Sequence, residues 1–183
     1  MKSKTDWSKD KVYRTTRCFS PRTNGYPGGF PIGFIDWVRQ LGYWGKDRVY
    51  LCCGKVEDKE AIRVDIEPST NPTHLEDARA TSLPDNAFDW VMIDPPYTAD
   101  LAETLYDKRR FWSSINIFTK EAERITRAGG LICTLSYEIP KRVPNCDLVA
   151  CVGVYQTMGV RHMMCFSVWK KRKEKPDHDG KKD

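Results

Sequence analysis

The sequence lacks several signatures that would place it quickly. No apolar run approaches the length of a membrane span, and the N-terminus Met1-Lys2-Ser3-Lys4-Thr5-Asp6 leads into charge rather than into an apolar leader segment. A cytoplasmic location is therefore expected. Seven cysteines are present, none in a Cys-x-x-Cys pair, which argues against a disulfide framework and favours reduced thiols. Cys146, Cys151 and His162 come nearest to a metal spacing, but no second Cys/His pair completes a zinc site, so none is expected. No internal repeat is evident. The chain also lacks a phosphate loop: Cys52-Cys53-Gly54-Lys55 has one glycine where a dinucleotide fingerprint needs three. That weighs against NAD or ATP and leaves an adenosine ligand without phosphates.

What remains is enough for one globular domain. The chain has 183 residues, 40% of them apolar, which supports a sizeable core. The net charge of +5 is carried by the ends: residues 1–11 sum to +2, residues 170–183 to +3, and the middle to zero. Such ends are most simply solvated, so charge alone does not assign a nucleic-acid partner. The expected organisation is a flexible arm over 1–20, a catalytic-type domain over 21–169, and a basic, disordered tail over 170–183.

The most informative stretch is Phe88-Asp89-Trp90-Val91-Met92-Ile93-Asp94-Pro95-Pro96-Tyr97. Its apolar run reads as a strand buried on both faces, ended by two prolines that cannot continue a ladder. Asp94 thus stands at a strand tip, where open α/β sheets bind ligands. The residue before a proline is extended, which fixes its direction. The Asp94 carboxylate and the Pro95 and Pro96 carbonyls make an acceptor-rich turn, and Tyr97 adds an aromatic face. A ring-bound NH2 group is the complementary ligand: the acceptors take its protons and the tyrosine stacks on its ring. The alternative is an ordinary proline-rich loop with Asp94 capping a helix.

The other elements are consistent with an α/β domain. A helix is expected from Phe34 to Leu41, and strands over 48–53, 62–66, 74–77 and 88–94. A short helix over 99–108 and a longer one from Phe111 to Arg127 follow, the latter stopped by Gly129-Gly130. Strands over 131–136, 147–155 and 162–170 close the chain, the last two as a hairpin. This predicts a Rossmann-like, mostly parallel seven-stranded sheet ending in an antiparallel hairpin. Gly54 and Asp65 then fall at the first two strand tips, as backbone approach and ribose acceptor, with Asp77-Ala78 at the third tip beside an adenine edge. The link from Gly54 to Ala61 is too short for a full crossover helix.

These motifs resemble the class I S-adenosylmethionine-dependent methyltransferases that methylate amino groups. Asp94-Pro95-Pro96-Tyr97 is similar to their catalytic motif, most typical of DNA adenine-N6 enzymes. Leu51-Cys52-Cys53-Gly54-Lys55-Val56 and Val64-Asp65-Ile66-Glu67-Pro68 are similar to the first two cofactor motifs of small phage and bacterial members. Tyr26-Pro27-Gly28-Gly29-Phe30-Pro31 is similar to their cofactor-covering segment. The resemblance implies a minimal class I methyltransferase fold with S-adenosylmethionine as cofactor. It implies Asp94, Pro95, Pro96 and Tyr97 as catalytic residues, and Phe30, Cys52, Gly54, Lys55, Asp65, Ile66, Asp77, Ala78 and Asp94 against the cofactor. Lys108, Arg109, Arg110 and Tyr137 are candidates for substrate contact, with DNA as the expected partner. No stretch is long enough for a separate target-recognition domain. RNA amino groups, cytosine N4, a small molecule, or a cofactor-binding module without turnover remain the alternatives.

Overall fold

In a computed structural model of the chain, which describes residues 12–20, 29–106, 113–156 and 163–173, the apolar run is the centre of a strand. Trp90, Val91, Met92 and Ile93 are all fully buried. Trp90 and Met92 join the core on one face of the sheet, and Val91 and Ile93 join the core on the other. Strand periodicity of two explains the division, and burial on both faces explains why the run shows no polar alternation.

In chain order the elements are β1 (Tyr13–Phe19), α1 (Phe34–Gln40), β2 (Arg48–Leu51), β3 (Ile62–Asp65), a 3-10 turn (Pro68–Thr70) and β4 (His74–Leu75). Then come β5 (Phe88–Ile93), α2 (Ala99–Tyr106), α3 (Ile115–Ile125), β6 (Thr126–Ser136), β7 (Cys146–Gln156) and β8 (Met164–Lys171). One sheet runs β1-β7-β8-β6-β5-β2-β3-β4. Every described neighbour pair is parallel except those of β8, which is antiparallel to both β6 and β7. The mostly parallel Rossmann-like sheet with its terminal hairpin is as expected. Helix α1 packs on one face through Phe34 and Val38, and α3 on the other through Phe118, Ala122 and Ile125. Among the described residues no helix is long and apolar enough to cross a membrane.

Three expectations need correction. Among the described residues the sheet has eight strands where seven were expected, because Tyr13–Phe19, expected within a loose arm, pairs in parallel with β7. Its middle residues are exposed, so the sequence offers little apolar signal there. Strand β6 begins at Thr126, before the glycine pair expected to precede it. Phe88 pairs with Thr126 and Trp90 with Leu131, so the extra residues form an irregularity that Gly129, at φ 83, accommodates. Lys171, assigned to the tail, extends β8 one residue beyond the expected end at Lys170. The Lys171 ammonium donates to the backbone oxygens of Glu123 and Thr126.

The link between β2 and β3, residues 52–61, contains no helix. Asp58 holds it down instead. Its carboxylate takes two guanidinium bonds from Arg48 at 2.9 and 3.0 Å and one from the Tyr50 hydroxyl at 3.3 Å. Burial works against the Asp58 charge, but the Arg48 hydrogen bonds and charge more than offset it, and its pKa lies below the ordinary carboxylate range. Arg48→Ala would strand this carboxylate at the base of the link. Urea unfolding should show a loss of about 3–5 kcal/mol. A depressed carboxylate pKa contributes stability above the unfolded value of about 4 that is lost as pH falls through the folded value. The wild type should therefore weaken in acid more steeply than Arg48→Ala; equal acid slopes would exclude this role for the pair.

Candidate functional site

The carboxyl ends of β2, β3 and β5 lie side by side in the sheet order β5-β2-β3. Beyond Leu51 the chain turns sharply: Cys52 has φ 57 and Gly54 has φ 51. The first is a left-handed conformation that a cysteine seldom adopts, and it needs its surroundings to hold it. They do so from both neighbouring strands. The Cys53 N–H donates to the Val64 carbonyl at 3.0 Å, and the Asp94 N–H donates to the Leu51 carbonyl at 3.3 Å.

Asp65, the last residue of β3, braces the same turn. Its carboxylate accepts the Gly54 N–H at 2.9 Å and the Glu67 N–H at 3.0 Å. Burial nevertheless dominates and raises the Asp65 pKa, with the N–H groups of Glu67, Gly54 and Ile66 acting in the opposite direction. Asp77 follows β4. Arg79 grips its carboxylate through Nε and its terminal nitrogen and donates to the Ser113 hydroxyl at 3.1 Å. Those Arg79 hydrogen bonds, partly opposed by burial, hold the Asp77 pKa below the ordinary range.

The charges of all three acids bear on one thiol, Cys52. Burial pushes the Cys52 pKa well up, and the charges of Asp65, Asp94 and Asp77 add to it in that order. This thiol is therefore a neutral filler rather than a nucleophile. With Asp77 held by Arg79, the Asp65 and Asp94 carboxylates supply a negative setting suited to hydroxyl donors and to a cationic group.

At the tip of β5, Pro95 is buried and Asp94 is half-buried. The Tyr97 hydroxyl donates to Asp94 Oδ1 at 2.8 Å and lies 3.4 Å from Met164 Sδ. The Tyr97 ring sits against Tyr137, with centroids 4.6 Å apart and planes at 49°. Tyr137 follows the end of β6, and Met164 opens β8. The turn after β5 thus has a wall built at the ends of two further strands.

No protein-family model and no curated protein matches the sequence. Solved structures match its shape. TrmN from Thermus thermophilus aligns with a TM-score of 0.53 at 18% identity, over 75% of this chain and 47% of its own. The protein yhhF from Escherichia coli aligns with a TM-score of 0.51 at 9% identity, over 81% of this chain and 91% of its own. A SAM-dependent methyltransferase from Methanosarcina mazei aligns at 0.46 and 12% identity, over 74% of this chain and 98% of its own. The fold is that of a minimal class I methyltransferase. At these identities the likeness concerns fold alone.

Within that fold the expected residues are unequally placed. Gly54 and Asp65 meet through a hydrogen bond, Asp94 is tied beside them to the Leu51 carbonyl, the charge of Asp77 bears on Cys52, and Ile66 flanks Asp65. Lys55 is exposed on the turn, and Ala78 is buried in the core on the α3 side. Phe30 is also buried, stacked on Phe34 at 5.5 Å, so it enters the core on the α1 side. It borders a cleft of about 680 Å³ between α1 and the β2–β3 link, together with Tyr50, Val56 and Asp58. Tyr137 lies beside Tyr97. Lys108, Arg109, Arg110 and His162 lie outside the described residues. Among the described residues no cluster of His, Cys, Asp and Glu could hold a metal.

Two contributors escaped sequence reasoning. Arg79 is two residues past Asp77, a spacing that lets an arginine fold back on an acid, and this is the only signal it carried. Met164 carried none, since β8 is far from Tyr97 in sequence.

Proposed function

We propose that the chain transfers a methyl group from S-adenosylmethionine to a ring-bound amino group, with adenine N6 in DNA as the target. The observation that carries the reading is the bond from the Asp94 N–H to the Leu51 carbonyl. It locks an acceptor-rich Asp-Pro-Pro-Tyr turn beside the tip that holds Gly54 and Asp65. A nucleophilic amine at the first and an adenosine-bearing donor at the second would meet across adjacent strands.

The residues fit such a donor. Asp65 suits the ribose hydroxyls, Gly54 admits close approach to the backbone, and the Asp65 and Asp94 carboxylates favour a positive centre. S-adenosylmethionine, when bound, supplies an electrophilic methyl group on a cationic sulfur. Asp94 and the Pro95 carbonyl accept from the amino group and direct its lone pair. As the N–CH3 bond would form, the S–CH3 bond would break and S-adenosylhomocysteine would leave; the positive charge thus passed from sulfur to nitrogen would be stabilised by Asp94 until a proton leaves to water. Pro95 and Pro96 keep the turn from relaxing. An adenine in duplex DNA would have to leave the stack to reach the turn.

The test uses methyl-tritiated S-adenosylmethionine with unmethylated duplex DNA, RNA and free nucleosides in parallel, followed by digestion to nucleosides. Label in N6-methyldeoxyadenosine is the expected outcome. Label confined to RNA, to N4-methyldeoxycytidine or to small molecules would overturn the target. No transfer to any of them would overturn the activity.

A further inference from the structure

We infer that Tyr97 acts through its hydroxyl, as the positioning residue for Asp94, and not chiefly as a stacking platform. The inference rests on the proposed methyl transfer. A tyrosine after Asp-Pro-Pro offers two tools, a ring face and a phenol. Its ring already leans on Tyr137 at 4.6 Å, and its hydroxyl is directed at Asp94 Oδ1 at 2.8 Å. A phenol donating to a carboxylate is a charge-assisted bond, stronger and more directional than a neutral one.

The geometry around the bond supports this use. The Asp94 backbone is fixed on one side by the Leu51 carbonyl and on the other by Pro95. Those contacts fix the backbone, and the phenol bond restrains the orientation of the carboxylate itself. The phenol is itself held, because Tyr137 and Met164 border it from the tips of β6 and β8. Three strands therefore converge on the orientation of one carboxylate. An amine approaching Asp94 would meet a carboxylate plane already turned, which lowers the reorganisation required at the moment of transfer.

The two roles separate cleanly in kinetics. Tyr97→Phe keeps the ring and removes the hydroxyl. Turnover on an adenine-containing duplex oligonucleotide, with S-adenosylmethionine saturating, should fall at least about tenfold, the size expected for one hydrogen bond to a charged group. The KM for the oligonucleotide should stay within about twofold, since binding of the base is not what is lost. Tyr97→Trp, with a larger stacking surface and no hydroxyl at that position, should fail to restore turnover. Unfolding midpoints in urea show that each variant is folded. Wild-type turnover in Tyr97→Phe, or a raised KM with unchanged turnover, would overturn the role of the hydroxyl while leaving the methyl-transfer reading intact. A wild-type protein that labels no substrate would overturn that reading, and the role of Tyr97 with it.

Discussion

Asp94→Ala should reduce methyl transfer by about two to three orders of magnitude, the scale seen when one preorganised electrostatic partner of a developing charge is removed. Binding of S-adenosylhomocysteine, measured by calorimetry, should change by no more than a few-fold. The two readouts part because the Asp94 backbone anchors the turn after β2, whereas in the proposed reaction its side chain serves the amine. The bond that joins β5 to Leu51 uses the backbone N–H, which alanine retains. The side chain is joined to Tyr97, which alanine would release. Asp94→Ala should therefore still fold and still bind cofactor. Normal turnover in this variant would sink the assignment. Loss of binding and turnover together would show that the carboxylate supports the cofactor pocket, not the amine.

Asp65→Ala should have the opposite profile. Here the side chain itself supports the pocket, through the N–H groups of Gly54 and Glu67. Removing it deletes the proposed ribose acceptor and unties the turn. Affinity for S-adenosylhomocysteine should fall by about 30-fold or more, the equivalent of one or two bonds to a charged group. Asp65→Asn, which keeps one acceptor oxygen, should lie between. Burial holds the Asp65 pKa above its ordinary value, so the wild-type affinity should begin to weaken, on acidification, at a higher pH than a free aspartate would give. Unchanged affinity in Asp65→Ala would remove it from the ribose role.

The centre of this molecule was legible in its sequence and the margins were not. Trp90–Ile93 announced a strand buried on both faces because four consecutive apolar residues ended at two prolines. The same logic found β2 and β3, and with them the positions of Gly54 and Asp65. Tyr13–Phe19 was missed for the opposite reason: an edge strand exposed along its middle has no apolar period to detect. The start of β6 was missed because Gly129-Gly130 reads locally as a helix stop, whereas here the pair lies inside a strand with an irregular register. At the site, residue types gave the acids but not their partners. Asp77 was expected to face a ligand, and in the structure Arg79 occupies its carboxylate. Tyr97 was expected to offer its ring, and the hydrogen bond to Asp94 directs attention to its phenol. Such pairings depend on rotamers and on neighbours distant in the chain, which local spacing does not encode.

The edge strand has a consequence for the order in which the molecule is built. Tyr13 lies opposite Ala150, and Phe19 opposite Gln156, so the first described strand pairs with the last but one. During synthesis β1 emerges early and has no partner until β7 has followed it out. Only then can the outer margin of the sheet close, and it closes across almost the whole length of the chain. The exposed, arginine-bearing character of that strand, which hid it from sequence reading, is also what lets it wait in water without seeking a wrong neighbour.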